Sequence, residues 1–238
     1  MKKALSALSA LILTVVALLL FAQIDDDLSE QSTDFISRLE ERTESEAYQY
    51  VFGLFAKENE SPAQVGKLLL EQYQASISDT ATQFDGYPAA DKLPLPKGDA
   101  FCRTWEEGCL THLFSSEIDA TALLSENQTL VSRYNEFLEF NEYTTLLAPT
   151  AHEIIIPYPY LVAAQRLTVL QAVSDYQNGN AKKAVSSLLA QCARLRKALA
   201  LQDTLIGKLV FVMQLSEVLD KPGPTRVGDR TVFCHLFD

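Results

Sequence analysis

Positive charge is in short supply in this sequence: 20 Lys and Arg stand against 31 Asp and Glu, giving a formal net charge of −11 over 238 residues. Nucleic-acid binding needs a concentrated cationic surface that releases counterions from phosphates. No such patch exists. The densest basic run, Arg194, Arg196 and Lys197, lies inside an apolar-periodic stretch and reads as the solvated face of a helix. Glycine-dependent chemistry is missing too. There is no Gly-rich dinucleotide turn, no phosphate-cradling loop ahead of Gly207 and Lys208, and no Gly-x-Ser-x-Gly elbow, which excludes the common nucleotide enzymes and esterases. The histidines number three, His112, His152 and His235, and none has a second one four residues away, as a metalloprotease helix requires. No two of the four cysteines are separated by two residues, so neither a redox dithiol motif nor a zinc ribbon is present. No cofactor, metal or nucleotide is expected.

What is present is apolar and helical in pattern. Hydrophobic residues make up 47% of the chain, with only 9 Gly and 9 Pro, a globular composition. A chain this long buries a core without help from metals or disulfides. At the N-terminus, Lys2 and Lys3 precede an uncharged run from Ala4 to Ala22, and Asp25, Asp26 and Asp27 follow it. Nineteen residues of helix span roughly 28 Å, close to the ~30 Å hydrocarbon thickness of a bilayer. Lysines before the run and carboxylates after it predict a cytoplasmic N-terminus and an exported body. The rival is a signal peptide cleaved after Ala22, which exports the body as a soluble extracytoplasmic protein; Leu20 then occupies a position that prefers a small residue, favouring the retained anchor.

The segments divide as an anchor at 4–22, a polar juxtamembrane helix at 23–46, a helical domain at 47–220 and a tail at 221–238. Ser61, Pro62 and Gln64 mark a helix start, with Val65, Leu68, Leu69, Tyr73 and Ile77 along one face. From Thr80 to Ala100, Gly86, Pro88, Pro94, Pro96 and Gly98 predict a long loop, either a binding element or a mobile one. Ser116 is placed to cap a helix running from Ala120 to Leu138. Asn127, on the apolar side of that helix, reads as a satisfied buried amide or a slight bend, and its glycosylation triplet with Gln128 and Thr129 is disfavoured within a helix. Pro149, Pro157 and Pro159 break the chain again. Residues 161–176 are apolar on a broad face, predicting a central helix, and Arg166 within it calls for a carboxylate partner.

Asn178, Gly179 and Asn180 then close one helix and open the next, Gly179 in the left-handed conformation and Asn180 as cap. An antiparallel hairpin follows, spanning Leu161 to Leu219. Its second arm carries Leu188, Cys192, Leu195, Leu199, Ile206, Leu209 and Met213, interrupted at Gln202. Gly179, Ala184 and Leu188 have the spacing of a tetratricopeptide-type turn, but one unit does not make a repeat array. The fold class is all-α: an N-terminal transmembrane helix, an irregular helical domain and a C-terminal helix hairpin.

Cys102 and Cys109 enclose a short loop that a local disulfide would pin in an exported chain. Cys192 sits on an apolar helix face and reads as an inert thiol; whether it pairs with Cys234 is open. The catalytic candidates are His152 and Glu153, a weakly indicated ionisable pair near Tyr158 and Tyr160 in a proline-bounded loop that packing explains better.

Arg133-Tyr134, the run Leu161 to Leu167, the run Asp203 to Leu209 and the cysteines at 102 and 109 resemble an uncharacterised group of membrane-anchored helical proteins of Gram-negative bacteria, over about Phe101 to Val212. The resemblance implies a single-pass inner-membrane anchor and a periplasmic body, and carries no activity. The expected function is a membrane-tethered extracytoplasmic module that binds a partner protein or envelope component. The alternative is an envelope hydrolase acting through His152 and Glu153.

Overall fold

The computed structural model describes residues 13–16, 18, 29–40, 44–78, 84–98, 101–103, 106, 108–113, 118–147 and 154–219. Every regular element among them is helical. The chain divides into two compact units, residues 1–41 and 42–238.

In the first unit, residues 13–16 and 18 are helical, and Leu13 and Leu18 are exposed. Most of the 4–22 run lies outside the described residues, and among those described no helix is long and apolar enough to cross a membrane. Helix α1 (Glu30–Glu40) follows, its first turn closed by Ser29, whose Oγ accepts from the Ser32 amide at 3.1 Å.

The second unit opens with α2 (Glu46–Phe52), capped by Ser45, whose Oγ accepts from Tyr48 N. Glu142 reinforces this cap from a distant part of the chain, accepting from Ser45 Oγ and from Ala47 N, both at 2.8 Å. Helix α3 (Pro62–Ser78) begins at the expected serine and proline. Its buried stripe differs from the expected one: Leu69, Leu70 and Tyr73 are buried, whereas Leu68 and Ile77 are more than half exposed. The cause is Gly66. A Cβ there would sit 1.8 Å from the Gln49 carbonyl oxygen, and one on Gly53 would sit 2.1 Å from that of Pro62. The backbones of α2 and α3 touch, and this contact sets the rotation of α3.

The loop between α3 and the disulfide is pinned along residues 84–98. Leu93 N donates to Phe55 O at 2.8 Å, Tyr160 Oη donates to Leu93 O at 2.8 Å, and Lys92 lies over the Phe55 ring. Cys102 and Cys109 form the expected disulfide, with Cα atoms 5.7 Å apart. The short helix α4 (Cys109–Leu113) starts at its second cysteine.

The single helix expected from Ala120 to Leu138 is two, α5 (Ala120–Glu126) and α6 (Gln128–Glu139). Ser116 lies outside the described residues, and Asp119 makes the cap, its Oδ1 accepting from Ala122 N at 2.9 Å. The junction is Asn127, whose Nδ2 donates to the Leu123 carbonyl at 2.8 Å, a side chain competing for backbone groups and bending the path. From α6, the buried Arg133 guanidinium donates to five backbone carbonyls of one turn, those of Leu54, Ala56, Lys57, Glu58 and Glu60.

Helix α7 (Tyr158–Gln177) is central, packing against α5, α6, α8 (Ala181–Leu201) and α9 (Leu205–Leu219). Gly179 turns α7 into α8 at φ +79°, while Asn180 occupies the cap position without a side-chain capping bond. The second arm of the hairpin is not continuous. Gln202 is buried at the break between α8 and α9, so the apolar phase of α8 does not carry through. Leu195 is fully buried, whereas Ile206 and Leu209 are more than half exposed. The buried side of α9 is instead Phe211, Gln214, Glu217 and Val218. Arg166 finds its carboxylate there, Nη2 lying 2.7 Å from Glu217 Oε1. Residues 221–238, with Cys234 and His235, lie outside the described residues, and Cys192 is a half-buried free thiol.

Candidate functional site

Four helices meet around one phenol. Tyr134 on α6, Gln165 on α7, Gln191 on α8 and Gln214 on α9 are all completely buried. Gln165 and Gln191 stand among mostly apolar buried neighbours, Gln191 between Ala184, Leu195 and Ala198, whereas Gln214 shares the inner side of α9 with Glu217 as well as Phe211 and Val218. The Tyr134 hydroxyl lies 2.9 Å from Gln165 Oε1 and 2.7 Å from Gln214 Oε1. Gln191 Nε2 donates to Gln165 Oε1 at 2.7 Å and to the Tyr134 oxygen at 3.3 Å. A phenol has one proton, so it donates to one of the two amide oxygens only. Turning the Gln214 amide end over makes its Nε2 a donor to the phenol oxygen, while Gln165 Nε2 stays without a partner. Burial holds the Tyr134 phenol well above its ordinary pKa, so it is a neutral hydrogen-bonding group and not a base.

The cluster connects to the surface through Arg194. Its Nη2 donates to Gln191 Oε1 at 2.8 Å, and its Nη1 lies 3.6 Å from Glu139 Oε1. Arg194 forms one wall of a groove of about 490 Å³ between α6 and α8, with α5 and α7 also contributing. Leu124, Val131 and Ala190 give the groove an apolar floor, and Asn135, Glu139, Gln171 and Arg194 give it polar walls. Two wall atoms are buried without a hydrogen-bond partner, Asn135 Oδ1 and Arg194 Nε. Buried polar atoms are nearly always satisfied, so these two mark unmet hydrogen-bonding capacity in the groove wall, within reach of a ligand only where the wall opens. One acceptor and one cationic donor beside an apolar floor suit recognition; no nucleophile with an adjacent base lines this groove.

His152 and Glu153 lie outside the described residues. Their neighbours have packing roles: Tyr160 holds the 84–98 loop, and its ring lies 5.9 Å from that of Phe55. Among the described residues, no group of three His, Cys, Asp or Glu side chains is placed to hold a metal. Sequence reasoning missed the glutamine cluster and the groove. The available signal was a glutamine amid the apolar residues of α7 and again of α8.

No family model matches this chain, and no curated protein or solved structure matches it either.

Proposed function

We propose that this chain is a membrane-tethered, extracytoplasmic helical module that binds a protein partner, with the α6–α8 groove as its recognition surface. The observation that carries the reading is the pair of unpartnered buried atoms, Asn135 Oδ1 and Arg194 Nε, beside an apolar floor. A peptide segment supplies what they lack. As the groove wall opens, a backbone N–H meets the Asn135 oxygen, a carbonyl or carboxylate meets the Arg194 guanidinium, and one apolar side chain covers Val131 and Ala190. Leaving such groups unpaired costs about 1–3 kcal/mol each, which a partner's hydrogen bonds would relieve. Tethering is supported by the uncharged run from Ala4 to Ala22 between lysines and aspartates. The Cys102–Cys109 disulfide supports an oxidising compartment.

The test is co-purification from membranes with two groove variants. Ala190→Trp fills the groove from an exposed position, and Arg194→Gln removes the cationic donor. Both are expected to lose a partner that the parent chain retains, with unchanged far-UV circular dichroism. A partner retained by both well-folded variants, or none with the parent, overturns the reading.

A further inference from the structure

The groove between α6 and α8 has a direction. Tyr134 on α6 meets Gln191 on α8, and further along both helices Glu139 meets Arg194, with Lys197 Nζ donating to the Glu139 carbonyl at 2.9 Å. The two helices therefore run parallel here, and the groove passes from an apolar end at Val131 and Ala190 to a charged end at Glu139 and Arg194. The eight-residue rise from Val131 to Glu139 is about 12 Å, room for three extended residues at about 3.3–3.6 Å each.

The charged end is loosely closed. Arg194 Nη2 is held by Gln191 Oε1 at 2.8 Å and Nε is buried, which leaves Nη1 as the donor for an incoming group. Nη1 faces Glu139 Oε1 at 3.6 Å, a charge contact longer than a hydrogen bond, and the Glu139 side chain is 68% exposed. Such an exposed pair contributes little and gives way to a better-placed anion. The anion that suits this end carries an apolar group beside its charge, because the floor begins one turn away at Ala190. In the last residue of a polypeptide, carboxylate and side chain leave the same Cα. An internal Asp or Glu brings no apolar group with its carboxylate, and a polyphosphate meets Glu139 and a chain of net charge −11.

Resting on the recognition reading above, we propose that the occupant of this groove is the C-terminus of a partner polypeptide ending in an apolar residue. Its terminal carboxylate displaces Glu139 from Arg194 Nη1, and its last side chains lie over Ala190 and Val131. Glu139 is then a built-in competitor that the ligand must turn out to water.

The experiment is a nuclear magnetic resonance titration of the isotopically labelled full chain in detergent micelles. The probes are acetyl-alanyl-alanyl-leucine, its C-terminal amide and octanoate, each taken to about 10 mM, above the ~1 mM dissociation constants of weak ligands. The expected result is shifted amides within 131–139 and 187–194 on adding the free acid. The amide with the parent chain, and the free acid with Arg194→Gln, should bind at least about tenfold more weakly, as loss of a charge-assisted hydrogen bond requires. Glu139→Gln should bind the acid about two- to fivefold more tightly, because the competing pair is gone. A purely structural role for Glu139 would leave that affinity unchanged or lower it. Equal binding of acid and amide, a Glu139→Gln variant that binds no more tightly, octanoate binding more tightly than the peptide, or no shifts in the groove overturns the proposal. The recognition reading is judged separately, by whether Ala190→Trp loses its partner in co-purification.

Discussion

Replacing Gly66 by alanine sets two effects of opposite sign against each other. Within a helix, alanine is favoured over glycine by about 1 kcal/mol because it restricts the unfolded chain more. Propensity alone therefore predicts a more stable protein. Geometry predicts the reverse, since the new Cβ would lie 1.8 Å from Gln49 O, 2.8 Å from Gln49 C and 2.9 Å from Gly53 N, where ordinary contact begins at 3.4 Å. All three neighbours are backbone atoms inside or ending a helix, so none moves aside by changing rotamer. Relief requires α2 and α3 to separate by more than 1 Å. That opens gaps around Tyr48, Phe52, Leu69 and Tyr73, which are all buried. Overpacking usually costs ~1–3 kcal/mol, and opening a well-packed interface adds a cavity contribution of similar size. The net expectation is a loss of about 3 kcal/mol, a large share of the 5–15 kcal/mol available to a typical domain. Urea denaturation followed at 222 nm measures it directly. A variant as stable as the parent, or more stable, would show that the α2–α3 backbone contact does not exist and that propensity decides at this position.

Leu170→Ala and Leu195→Ala should each cost ~2–5 kcal/mol, since both side chains are essentially fully buried where α7 and α8 supply the core; thermal melts giving losses below about 0.5 kcal/mol for both would sink the hairpin-core assignment. Burial raises the pKa of Glu217 above its ordinary 4.5, with the Arg166 guanidinium opposing the shift. A carboxyl raised in the folded state binds more protons there than when unfolded, so its contribution favours folding below about 4.5 and fades as pH climbs through the raised value. The stability of the parent relative to Glu217→Gln should therefore fall as pH rises across that window, and a flat or rising difference in denaturation series would refute the burial argument.

How far the sequence discloses this fold depends on whether a signal is local. Ser61 before Pro62, Gly179 between two periodic runs, two cysteines seven apart and a bend at Asn127 are local signals, and each marks a feature that the structure contains. Arg166 required a partner by the cost of burying a charge, but only the fold reveals that the partner is Glu217, 51 residues away. Gly66 gives no local warning, because glycine in a helical pattern looks like a mere weakness until a second backbone arrives against it. The face of α9 was misjudged for a related reason. Periodicity places the apolar side inward, and here the hydrogen-bonding demands of Tyr134 and Arg166 placed Gln214 and Glu217 there instead. The groove is legible only in three dimensions, since Val131, Thr168 and Arg194 come from three helices.

The way Arg133 holds the turn after α2 bears on how this chain can change over time. All five of its acceptors are main-chain carbonyls, between Leu54 and Glu60, and a carbonyl is the same whatever side chain its residue bears. The turn is therefore secured without regard to its lettering. The side chains of Lys57, Glu58 and Glu60 take no part in these five bonds and pair instead with Asp91, Thr129 and Tyr87, whereas the single arginine serves the whole turn. A lysine in its place would offer three donors from one point in place of a planar fork, and could not reach across the whole turn. The hold on the main chain of this turn is thus concentrated in one side chain, independent of which residues the turn is made of.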